Sequence, residues 1–91
     1  ILMGNLRESR AEGSIRVVNP SNEILIFREE FEMEPDGEVS YKSVFQNTPA
    51  KIHVNVFDGP SESEEFEALT RDDQVHIFIK ADTIDIALVE Q

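Results

Sequence analysis

The sequence predicts an all-β fold of about seven strands, an antiparallel sandwich or a small barrel. Two observations carry that expectation. Apolar and polar side chains alternate with a period of two from Ser14 to near the end of the chain. Turn clusters rich in Pro, Gly, Asn and Asp interrupt this alternation about every 8–12 residues, and no long helical stripe appears. The connections are too short for parallel crossovers, so antiparallel pairing is expected.

Residues 1–13 lack a clean period, and "NLRESRAEG" reads as a flexible arm or a short helix. The chain therefore divides into an N-terminal arm, 1–13, and a sandwich domain, 14–91. "SIRVVN" places Ile15 and Val17 on one face, and "NPSN" turns the chain from Asn19 to Asn22. "EILIFREEFEM" sets Leu25, Phe27, Phe31 and Met33 against Ile24, Ile26, Arg28, Glu30 and Glu32. In "EPDGE", Pro35 presets one φ and Gly37 is expected to supply a positive one. "EVSYKSVF" aligns Val39 with Tyr41, and Val44 reverses the parity, which implies a bulge near Ser43.

After the "QNTP" turn, "AKIHVNVF" points Ile52, Val54 and Val56 inward and Lys51, His53 and Asn55 outward. "DGPSES" reads as a loop. "EEFEAL" reads as a short strand with Phe66 and Ala68 opposed to Glu65 and Glu67. "QVHIFIK" turns Val75, Ile77 and Ile79 inward, and "IDIALVE" sets Ile84, Ile86 and Leu88 on one side.

At 91 residues the chain holds one small domain. Domains of this size bury roughly 60–65% of their unfolded surface, so stability is marginal. The absence of cysteine excludes a disulfide framework and a thiolate metal site, blue copper included. No apolar run approaches the ~20 residues that span a bilayer, so no membrane-spanning segment is expected. The opening "ILMGNL" is too short for a signal peptide, and a start at Ile1 suggests a processed or a trimmed chain, whose front end could have held a signal or an anchor.

Nineteen acids against eight bases leave a formal charge of −11. Nucleic acid and anionic lipid are recognised by clustered Lys and Arg, so neither is expected as a partner. Most of the acids read as the solvated side of a sheet, suited to solubility in high salt or to general colloidal stability, with a positively charged partner or a bound cation as the alternative. With 40% apolar residues the chain has enough material for a core.

Asp58, Glu62, Glu64, Asp72 and Asp73 lie in or beside two loops and are weak calcium candidates, since hard cations need six to eight oxygens. Outward His53 and His76 would need neighbouring strands to meet, and a third ligand besides. A P-loop, a nucleophile elbow and a glycine-rich phosphate loop are absent, and the serines have no nearby histidine in sequence. An enzyme, a cofactor and a small-molecule ligand are therefore not expected. The apolar residues on outward parity are more informative: Ile24, Ile26, Phe57 and Phe78 either tuck in through bulges or form a protein contact. Ile1, Leu2 and Met3 are candidates for a strand added to a sheet edge, in cis or in a neighbour.

The segments "SIRVVNPSNE", "FREEFEMEPDGEV", "KIHVNVFDG" and "DDQVHIFIKADTIDIALVE", with "VF" before a proline loop, follow one another in a suggestive order. From Gly13 to Gln91 that order resembles the small immunoglobulin-like sandwich domains of halophilic archaeal surface proteins and lipoproteins. The lipobox cysteine is missing. The resemblance implies an extracytoplasmic binding or structural role, an acid excess suited to brine, and no catalytic residues.

The expected function is a non-enzymatic extracellular structural or protein-binding module, in its most specific form a self-assembling surface, filament or virion subunit. An inhibitor that grips an enzyme through "EPDGE" and "DGPSES" is the alternative, and a calcium-binding module is third.

Overall fold

The computed structural model describes residues 1–42 and 44–89. They form eight strands: β1 (Leu2–Asn5), β2 (Ala11–Val18), β3 (Leu25–Met33), β4 (Glu38–Ser40), β5 (Thr48–Val56), β6 (Ser61–Leu69), β7 (Gln74–Ile79) and β8 (Ile84–Val89). Two four-stranded sheets result, ordered β4-β1-β7-β8 (sheet A) and β3-β2-β5-β6 (sheet B). The all-β sandwich is as the alternation predicts. The strand order does not confirm the immunoglobulin-like connectivity, which places the second and third strands in opposite sheets. Here β2 and β3 pair within one sheet. No helix among the described residues is long and apolar enough to cross a membrane.

The main departure lies at the N-terminus. Where an arm or short helix was expected, Leu2–Asn5 forms β1, held between β4 and β7. β2 then begins at Ala11, ahead of the expected boundary at Ser14. Four residues are too few to display a period, which is why the strand escapes pattern reading. β1 also runs parallel to β7, against the all-antiparallel expectation. Nearly the whole chain separates the two strands in sequence, so the crossover a parallel pair requires is the rest of the domain.

The core follows the alternation closely. Ile15 and Val17 on β2, Ile52, Val54 and Val56 on β5, and Val75, Ile77 and Ile79 on β7 are buried, as expected, with Met3 from β1 among them. Each such aliphatic side chain contributes about 1.5–3 kcal/mol on burial. Gly13 sits at inward parity opposite Phe31. A Cβ there would lie 2.0 Å from the Asn55 carbonyl oxygen and 2.7 Å from the Phe31 ring, so the close approach demands glycine.

Among the described residues one polar side chain is fully buried. Asn5, at the end of β1, donates from Nδ2 to the carbonyls of Ser9 (3.0 Å), Met33 (3.0 Å) and Glu34 (3.2 Å). Its Oδ1 accepts the Arg7 amide at 3.0 Å. Its backbone bonds Gly37 and Asp36 across the β3–β4 turn. In that turn Asp36, not Gly37, takes the positive φ, at 63°. Gly37 serves another need: its amide bonds the Glu34 carbonyl, and a Cβ would stand 2.8 Å from that oxygen. The bulge expected near Ser43 and the final Glu90 of the closing strand lie outside the described residues.

Sheet B ends in glutamates that point the wrong way. Glu29 on β3 opposes Ile15, while Glu62 and Glu64 on β6 oppose Val54 and Ile52. Opposed residues share a face, so these acids have core-facing parity, yet all three are exposed. They occupy the two edge strands, where the sheets cease to cover each other. β6 is also longer than expected, beginning at Ser61 inside the presumed loop. A register shift between Thr48 and Ala50 reverses its parity after Phe66, so Leu69 is buried and Ala68 exposed, the opposite of the sequence reading.

Replacing Asn5 with Ala should lower unfolding free energy by about 3 kcal/mol, because the buried Met33 carbonyl, the Ser9 carbonyl and the Arg7 amide lose this partner together. Gly13→Ala should cost a similar amount, about 1–3 kcal/mol, through overpacking. Urea titrations followed by circular dichroism would measure both.

Candidate functional site

The strands deliver their loops to two ends of a body measuring 35 × 27 × 18 Å. One end carries the connections β1–β2, β3–β4, β5–β6 and β7–β8. The other carries β2–β3, β4–β5, β6–β7 and both termini. This placement decides the calcium question. Asp58 and Glu62 belong to the first end, and Asp72 and Asp73 to the second, with nine-residue β6 between them. At about 3.3 Å per residue that strand separates the two groups by more than 20 Å, so the weak calcium set cannot form one site. Three of these four acids have a local task instead. Asp58 pairs with Arg7 at 3.4 Å, Glu62 accepts the Ser63 amide, and Asp73 accepts the Thr70 amide at 2.7 Å. Among the described residues no group of three or more His, Asp or Glu is placed to hold a metal ion.

His53 lies on the outer face of sheet B and His76 on the outer face of sheet A, so the two imidazoles point away from each other. The sequence reading set the serines apart from histidine; the register places Ser63 directly across from His53. Burial, with Arg16 and Lys51 alongside, pushes the His53 imidazole below its usual pKa.

The interaction candidates separate by environment. Ile1 and Met3 are buried in the chain's own core, so β1 completes its own sheet and leaves neither side chain for a neighbour. Leu2 is half-buried on the outer face of sheet A. Phe78 is half-buried too: it covers Gly4, where an added Cβ would meet its ring at 3.3 Å, and it packs edge-on to His76. A register shift beside Val17 exchanges the expected roles of two neighbours on β3. Ile26, read as outward, is half-buried against the core, and Leu25, read as inward, is 51% exposed. Ile24 and Phe57 remain exposed, at 63% and 59%.

Exposed apolar bulk thus gathers at the two ends. Leu6 and Phe57 stand at the first, and Ile24, Leu25 and Leu88 at the second. Leu6 went unnoticed because it follows a strand too short to reveal its register. Ile24 is held by a stiff loop in which Glu23 adopts a φ of 59° and Asn19 and Asn22 accept backbone amides.

The outer face of sheet B carries a further pattern. Across β3, β2, β5 and β6 the register lines up Arg28, Arg16, His53 and Ser63 in one row. Toward the second end follow Leu25, Val18, Lys51 and Glu65. Toward the first end follow Glu30, Ser14, Asn55 and Ser61, then Glu32 and Glu12 near Phe57. Arg16, Arg28 and Lys51 make no ion pair among the described residues, whereas Arg10 joins Glu12, Glu32 and Glu34. A groove of about 410 Å³ opens on this half, lined by Arg16, Val18, Pro20, Lys51 and His53 together with the acids Glu23 and Glu65.

Compared with protein-family models, curated proteins and solved structures, the chain matches none.

Because His53 is held below its unfolded pKa, the unfolded chain binds the extra proton first as pH falls. Its contribution is present above about pH 6.5 and is lost as pH drops toward the lowered folded value. The stability of wild type minus that of His53→Gln should therefore decline over that interval. Urea midpoints measured at stepped pH would show it, and a flat difference would contradict the assignment.

Proposed function

We propose that this chain is a non-enzymatic structural or protein-binding module that works outside the cell and touches its partner through apolar residues at the ends of the sandwich. The carrying observation is that every exposed large apolar side chain among the described residues lies at one end or the other: Leu6 and Phe57, or Ile24, Leu25 and Leu88. Scattered exposed leucines need no explanation, but their confinement to two ends of an otherwise charged surface fits contact sites. The strained Glu23 beside Ile24 supports this, since strain is kept where a side chain must be presented in one way. An extracellular setting in strong salt is consistent with the −11 charge and with the resemblance to halophilic surface domains.

The inhibitory reading keeps one supporting observation. The β3–β4 and β5–β6 connections, which contain "EPDGE" and the start of "DGPSES", share the same end of the sandwich. A single enzyme surface could meet both.

Sedimentation of the chain, alone and mixed with extracellular proteins from its source, tests the proposal. Complexes should weaken at least about 10-fold on Phe57→Asp or Ile24→Asp, the loss expected for one buried apolar anchor. Complexes of undiminished strength would remove the reading, and their loss on exchanging the 34–38 and 58–63 segments alone would favour the inhibitor.

A further inference from the structure

We infer that the outer face of sheet B is a self-complementary surface that docks a second copy of this chain about a two-fold axis. The inference rests on the proposed use of the apolar ends and names the partner and the geometry.

The face divides across its strands. Glu12, Glu30 and Glu32 lie toward the end that carries Phe57, with Arg10 joining Glu12 and Glu32. Arg16, Arg28, Lys51 and His53 lie toward the end that carries Leu25, with Glu65 opposite Lys51. An axis lying in the plane of the sheet and crossing its strands exchanges these halves. Under that operation Glu30 of one copy meets Arg28 and Arg16 of the other, and the reverse holds by symmetry. Glu12 meets Lys51. Phe57, 59% exposed at the end of β5, falls on the groove that Val18, Pro20, Lys51 and His53 line on the second copy. Both halves are served at once, as an isologous interface requires.

Charge makes a second copy the best-matched occupant. The chain carries only eight cations, and three of them sit unpaired among the described residues on this one face. Arg16 stands directly opposite Arg28, an arrangement that destabilises the lone sheet. An acidic surface laid over that row removes the repulsion, and the acidic half of the same face has the required sign and spacing. Four strands at about 4.8 Å and eight residues at about 3.3 Å give on the order of 500 Å² per copy. The total of roughly 1,000 Å² is at the lower limit for a specific interface, so a dimer of moderate affinity is expected.

Charge reversal tests the geometry. Sedimentation equilibrium near 0.15 M salt, where long-range repulsion between two anionic copies is screened but contacts are not, should find a dimer. Arg16→Glu/Arg28→Glu alone and Glu12→Lys/Glu30→Lys alone should each raise the dissociation constant at least about 30-fold. Mixed, the two variants should form a heterodimer, because each then presents what the other lacks. Circular dichroism matching wild type shows that both variants fold. A wild type that stays monomeric to about 1 mM overturns the inference, even if the cationic row captures a polyanion. So does a mixture that fails to pair. In either case complexes with other proteins that still depend on Phe57 and Ile24 leave the broader reading standing.

Discussion

The architecture depends on the carboxamide of Asn5. A four-residue strand buries little and nucleates nothing alone, yet β1 joins β4 to β7 and so holds sheet A together. Asn5 closes the end of that strand by satisfying carbonyls from the β1–β2 connection and from the end of β3, which belongs to sheet B. One side chain therefore ties both sheets and the β3–β4 turn to a single point. A carboxamide suits the place because it both donates and accepts. An aspartate would lose the donors to three carbonyls, and an aliphatic residue would deprive the Met33 carbonyl of this donor in the interior.

The acid excess has two structural roles beyond solvation. Several acids finish turns: Asp73 accepts the Thr70 amide, and Asp58 holds Arg7 against the β5–β6 connection. The glutamates of core-facing parity on β3 and β6 have a different effect. A further strand added at either edge would extend the inner face over Glu29 or over Glu62 and Glu64, and would strip water from a charge. Sheet B is thus guarded at both edges while its outer face stays open. Association through that face is compatible with this guard, and strand addition at β3 or β6 is not.

Much of the fold was legible because two-sided strands announce themselves. β2, β5 and β7 alternate without interruption, and every inward residue read from them is buried. The failures fall where a register shift breaks the period. At Ile26 and Leu25, and again at Ala68 and Leu69, one additional residue exchanges inside for outside, and nothing local in the sequence marks it. β1 was illegible because its evidence is its partners, β4 and β7, which lie far along the chain. Of the candidate surface, Phe57 and Ile24 stood out as oily side chains on polar parity. The cationic row did not, because Arg16, Arg28 and Lys51 belong to three strands, and only cross-strand register makes them neighbours.

That register also explains why the row is informative in so acidic a chain. With nineteen carboxylates available, placing one opposite Arg16 would have been the ordinary arrangement, and cross-strand opposite charges are worth roughly 0.2–1 kcal/mol. Instead Arg28 faces Arg16, His53 lies on its other side, and the nearest acids of that face are one row away on either side. Burial, and then the charges of Arg16 and Lys51, depress the His53 pKa, so cations gather beside this imidazole although the molecule as a whole is strongly negative. A marginal 91-residue sandwich has little stability to spare for an arrangement without use. Separating charge along one sheet face weakens the isolated domain slightly and gives it a surface whose complement is its own other half.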